Sequence, residues 1–106
     1  MVERRAPVIR RFPMFVHLAI HRPKPGKEKF LIDSMHRFGT AMLREPGLQQ
    51  VHTLMDQRTG ALIGLAIWDS KEEWEAARPK MQEAIKNDPF HEWEDNPAEV
   101  FQLEPV

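Results

Sequence analysis

The stretch FVHLAIH, residues 15–21, carries His17 and His21 four positions apart. Imidazole is a common metal ligand and, because it titrates near neutrality, a general base. On a helix this spacing would put both rings on one face, where they could share an ion. His36, His52 and His91 complete the set of histidines. His91 stands beside Glu92, Glu94 and Asp95, residue types that bind hard or borderline metals. Their spacing matches no established metal motif, so no metal site is expected there. The chain has no cysteine, which removes thiolate nucleophiles, thiolate metal sites and disulfides. Its only serines are Ser34 and Ser70, neither in a Gly-x-Ser-x-Gly elbow.

Which chemistry survives depends on the elements that carry these side chains. From Met14 to His21 apolar and mixed residues alternate with period two: Met14, Val16, Leu18 and Ile20 on one face, Phe15, His17, Ala19 and His21 on the other. This is a strand pattern, closed by Pro23 and Pro25. Four residues of strand span about 13 Å, too far for two imidazoles to share one ion. The metal-pair idea fails on distance.

After Gly26 the period changes. Leu31, Met35, Phe38 and Met42 mark an amphipathic helix that Pro46-Gly47 ends. Residues 48–68 look like a hairpin turning near Gln57–Gly60, with Leu62–Trp68 apolar on both faces like a buried central strand. Ser70 and Glu73 form a Ser-x-x-Glu capping box. Trp74, Ala77, Met81 and Ile85 then give a second helical stripe, which Pro79 should kink or split. NDPFHEWEDNP reads as a loop whose Phe90 and Trp93 are buried as a covering flap, and EVFQLEPV as a last strand. The order is β-α-β-β-α-β, the α+β ferredoxin-like arrangement: a four-stranded antiparallel sheet with both helices on one face.

The length of 106 residues suits a single domain, here 13–106, preceded by a basic arm at 1–12 that holds Arg4, Arg5, Arg10 and Arg11. From Asp88 onward there are acids and no Lys or Arg, so the charge of the two ends is opposite in sign while the net charge is only −1. That balance, and the lack of a Lys/Arg-Gly-Phe-type strand in ALIGLAIWD, argue against a nucleic-acid partner. No apolar run approaches the roughly 20 residues of a membrane helix. The N-terminal arginines are followed by an alternating strand rather than a leader with a cleavage site, and a cysteine-free chain is compatible with the cytoplasm.

The sheet has two apolar faces to account for. Met14, Val16, Leu18 and Ile20, with Ile63, Leu65 and Ile67, form the bulkier one, and it is expected to pack on the helices. The other holds Phe15, His17, Ala19 and His21 with Leu62, Gly64, Ala66 and Trp68. Small residues among aromatics and imidazoles are too apolar for open solvent, so a second copy of the chain is expected to cover this face and enclose a cavity.

REPGLQQV leaving a helix into a strand, then GLAIWDSKEEWEAA, resemble the antibiotic-biosynthesis-monooxygenase-like family of dimeric α+β barrels. Glu45, Pro46, Gly47, Trp68, Asp69, Ser70 and Trp74 occupy its structural positions, and the resemblance runs from about Pro13 to Val106. It implies two ferredoxin-like sheets pairing as a homodimer, with an apolar pocket in each subunit. It further implies oxygenation of a small aromatic or quinol-like compound with no cofactor, haem being the alternative ligand. Haem-degrading members use an Asn on the first strand and a His near the end of the second helix; here the first Asn is Asn87 and residues 81–86 hold no His. The rival expectation is a dimeric small-ligand-binding or structural module without chemistry.

Oxygenation without a cofactor needs a base that ionises a phenol or enol to an electron-rich carbanion able to pass an electron to dioxygen. His17 is the first candidate, beside Phe15 and Ala19, and His52 the second. Phe15, Ala19, Gly64, Ala66 and Trp68 are the expected pocket residues. Trp68 is open to two roles, an aromatic wall for a planar ligand or an interface anchor. His21, at a strand end, and His36, off the apolar stripe, are expected at the surface.

Overall fold

A computed structural model describes residues 13–106; the basic arm, 1–12, lies outside them. The alternating stretch forms β1 (Phe15–His21), followed by α1 (Glu28–Met42), β2 (Leu48–Met55), β3 (Leu62–Trp68), α2 (Lys71–Ile85), a short α3 (Phe90–Trp93) and β4 (Glu99–Leu103). The strands make one antiparallel sheet in the order β2-β3-β1-β4, so the ferredoxin-like α+β class expected from the periodicities is the observed one. No helix among the described residues is long and apolar enough to cross a membrane.

Local chemistry explains the boundaries. At the start of α2 the Ser70 hydroxyl accepts from the Glu73 N–H at 3.2 Å, so half of the capping box forms. The Glu73 carboxylate does not reach back to Ser70. It folds over Gly47 instead, where φ is +87° and an added Cβ would collide with the Glu73 carboxylate. Pro79 sits inside α2 without splitting it, and the helix runs on to Ile85. The residue is exposed, so the carbonyl its ring leaves unpaired can turn to water. The loop after α2 contains α3, which buries Trp93 against Leu31, Met35 and Leu62 with Phe90 packed beside it, as a covering flap does. The Lys24 N–H donates to the Trp93 carbonyl at 2.7 Å, and Pro23 and Glu94 form an isolated β-bridge. The flap is thereby fastened to the chain leaving β1.

The assignment of the two sheet faces is the reverse of the sequence expectation. Phe15, Ala66 and Trp68 are buried with Met42, Trp74, Ala77 and Met81 from the helices. Register pairs Phe15 with Trp68, His17 with Ala66, Ala19 with Gly64 and His21 with Leu62, so these eight share the helix-facing side. Val16, Leu18, Ile20, Ile63, Leu65 and Ile67 face the other way and stay half-buried. The reason is fit: at its centre this side is small, so Met35 reaches Gly64 and Trp74 clusters with Ala66, while Phe15, Leu62 and Trp68 fill the core towards its two ends.

Candidate functional site

A cavity of about 200 Å³ lies between the sheet and the two long helices. β1 and β3 supply its floor through His17, Ala19, His21, Gly64 and Ala66, while Met35, Phe38 and Met42 of α1 and Ile85 of α2 cover it. The space exists because Ala19 and Gly64 stand opposite each other at the centre of the sheet. A Cβ added at Gly64 would meet only the Met35 methyl, at 3.5 Å. The lining is overwhelmingly apolar with a few polar groups, the usual composition of a small-molecule site.

His17 is half-buried on the floor. Its ring stacks on Trp74 with centroids 5.0 Å apart and planes inclined 24°. The Arg78 guanidinium lies over the same indole at 5.7 Å. Burial, and secondarily the Arg78 charge, hold the His17 pKa below the ordinary imidazole value, so the ring is neutral at pH 7 and able to accept a proton. Its position in the sequence put it on the Phe15–Ala19 face, and that grouping holds; the face looks onto the chain's own helices.

Ala19, Gly64 and Ala66 border the cavity with it. Phe15 and Trp68 do not. They are 2 % and 0 % exposed and sit one strand end away, inside the cluster around Trp74 and Met81. Trp68 is therefore core within the chain, a third role beside the two the sequence left open, and its Nε1 has no hydrogen-bond partner among the described residues. His52 borders the cavity through its place in β2, but register sets it against Leu65 on the opposite sheet face. There its exposed ring bonds the Gln50 side chain at 3.0 Å. The two candidate bases thus lie on opposite sides of the sheet.

His21, expected at the surface, lines the cavity instead. Its side chain is only 15 % exposed, and Nδ1 lies 3.1 and 3.2 Å from the two carboxylate oxygens of Glu94, itself 3 % exposed. Ser34, fully buried on α1, also borders the space and donates to Asp88 at 2.6 Å; Arg37 holds both oxygens of that carboxylate. The period-two phase of β1 already grouped His21 with His17. Nothing in the sequence pointed to Glu94 as the partner of His21, because the contact depends on the flap folding back 73 positions along the chain. Among the described residues no three His, Asp or Glu side chains converge in a way that could hold a metal ion. The exposed His91 imidazole lies 4.0 Å from the Glu92 carboxylate.

With this geometry in place, the chain can be compared with known proteins. No protein-family model matches it, and no curated protein matches it. Solved structures do. Rv0793 of Mycobacterium tuberculosis superposes with a TM-score of 0.76 at 18 % identity, covering 88 % of this chain and 95 % of that one. A Chloroflexus aurantiacus protein with the provisional name antibiotic biosynthesis monooxygenase gives 0.66 at 23 % identity, over 88 % and 93 %. A variant of SnoaB, a cofactor-independent oxygenase from Streptomyces nogalater, gives 0.70 at 11 % identity, over 88 % and 93 %. At these identities the likeness is one of fold, and it is the fold that the resemblance in sequence implied.

Proposed function

Proceeding from a fold shared with a cofactor-independent oxygenase, we propose that this protein is antibiotic-biosynthesis-monooxygenase-like in activity, oxygenating a small aromatic or quinol-like compound without a cofactor. The observation that carries this reading is the neutral His17 imidazole on the floor of an apolar cavity. His17 accepts the proton of a phenol or enol. The resulting carbanion passes one electron to dioxygen, the radical pair recombines to a peroxide anion, and the His17 imidazolium returns its proton to that anion. One substrate and one dioxygen give one hydroperoxide, with the base regenerated. Exclusion of bulk water by Met35, Phe38 and Met42 protects the carbanion from protonation by solvent.

Haem fits this site poorly. The cavity of about 200 Å³ is below the roughly 300–1,000 Å³ typical of pockets for drug-sized ligands, and the His17 ring is already stacked on Trp74.

The same reading includes a homodimer. The outward sheet face is continuous and apolar: Val16, Leu18, Ile20, Ile63, Leu65 and Ile67, flanked by Leu54, Phe101 and Leu103 at 45, 40 and 44 % exposure. A second copy covering this face would bury it. A cytoplasmic setting, supported by a chain without cysteine, belongs to the reading as well.

Oxygen uptake with a panel of quinols and anthrones tests it, comparing the wild type with His17→Ala. Uptake on at least one substrate, falling by on the order of a hundredfold or more in the variant, is the expected result. No uptake on any of them would refute oxygenation and favour a non-catalytic small-ligand-binding dimer.

A further inference from the structure

His21 and Glu94 have a geometry that the proposed base does not use. The Glu94 carboxylate is buried, and its hydrogen-bonding side chain among the described residues is His21, with Nδ1 near-equidistant from both oxygens. An ionised carboxylate can only accept, so Nδ1 is the donor of this contact, and in the neutral ring Nε2 is then the acceptor. Nε2 has no hydrogen-bond partner among the described residues. The ring borders the cavity and packs on Phe90, centroids 6.4 Å apart.

The backbone holds this arrangement from both sides. The Pro23–Glu94 bridge and the Lys24–Trp93 hydrogen bond fix the flap two residues beyond His21, and the Lys24 ammonium donates to the His91 carbonyl at 3.2 Å. Between His21 and His17 the floor is Ala19 and its partner Gly64. A planar ring system lying on these small residues has one imidazole at either end.

We infer that His21 and Glu94 form a hydroxyl-binding subsite, in which His21 Nε2 accepts a hydrogen bond from an O–H at the end of the ligand remote from His17. Glu94 is the positioning residue. It fixes the tautomer and orientation of the imidazole, as a carboxylate does behind other functional histidines. The ligand class this selects is a flat apolar body with a hydroxyl at the His21 end. The inference rests on the cavity being a ligand site, and adds to it which end of the ligand is polar.

Side-chain imidazole ¹⁵N spectra test it, with the His21 signals assigned through His21→Gln and 2,6-dihydroxynaphthalene as the probe. The free protein should show His21 with hydrogen on Nδ1 and none on Nε2. The probe should shift the Nε2 signal, and 2,6-dimethoxynaphthalene, which has no O–H to donate, should not. Glu94→Gln should redistribute the His21 tautomers while the fold persists, and both variants should weaken probe binding on the order of tenfold. An unmoved Nε2 signal, or no binding of the probe, would overturn the subsite. Oxygen uptake separates this result from the proposed activity. A shifted Nε2 without uptake keeps the subsite and removes the oxygenation, and uptake without the shift does the opposite.

Discussion

The His17 imidazole and the Trp74 indole are stacked 5.0 Å apart, with the Arg78 guanidinium on the same indole. A cation next to this stack opposes a second positive charge on His17, and burial opposes it further. Proton acceptance in this cavity therefore starts from a neutral ring.

This has a consequence for stability. The His17 pKa is depressed in the folded state, so below about pH 6.5 the unfolded chain binds a proton that the folded chain resists. Stability should be unaffected by His17 above that range and should be lost as pH falls below it. Denaturant titrations from pH 7.5 to 5 should show a steeper loss for the wild type than for His17→Gln. Arg78→Ala should make the wild-type loss shallower. Equal slopes in all three would contradict the account.

Gly47 is expected to resist substitution. Its φ of +87° is unfavourable for an L side chain, and Glu73 occupies the space a Cβ would take. Gly47→Ala should cost about 1–2 kcal/mol from conformation alone, with a further steric part. Chemical denaturation of Gly47→Ala and of Gly47→Ala/Glu73→Ala measures the two, and the double variant should recover only the steric part.

Gly64 should behave differently although it lies in a central strand. Its φ is not left-handed, and an added methyl meets Met35 at ordinary contact distance. Gly64→Ala should fold normally, with stability raised by about 0.5–1 kcal/mol. Gly64→Leu should fill the cavity and abolish binding of naphthol-sized probes. Retention of probe binding by Gly64→Leu, read by tryptophan fluorescence, would place the ligand elsewhere.

The outward face offers a separate test. Leu18 pairs with Leu65 and with Phe101 across β1, at the middle of that face. Sedimentation equilibrium should give twice the chain mass for the wild type and the single-chain mass for Leu18→Lys. A monomeric wild type would remove the dimer.

A haem titration is expected to leave the Soret band where free haem has it, given the cavity's size. A shifted band that disappears in His17→Ala would restore haem as the ligand.

Much of this was readable from one sequence. Period-two alternation in Phe15–His21, the apolar run Leu62–Trp68, the helical stripe through Leu31, Met35 and Met42, and the breaks at Pro46-Gly47 and Ser70 fix the element order, and that order has one common antiparallel solution. The same alternation determined that His17, Ala19, Gly64 and Ala66 would share a face, because side-chain phase is set by the strand itself.

Only the tertiary structure decided which way that face looks. Alternation is symmetric between the two sides of a sheet, and both sides here are apolar, so hydrophobicity does not distinguish the side under the helices. The choice falls to packing at the centre of the face: Met35 reaches Gly64 and Trp74 clusters with Ala66, while Val16, Leu18 and Ile67 are left outside. The same limit hid the Glu94 contact with His21. A pairing 73 residues apart depends on how α3 docks, and that is settled by Trp93 finding Leu31 and Leu62 rather than by any local pattern around Glu94.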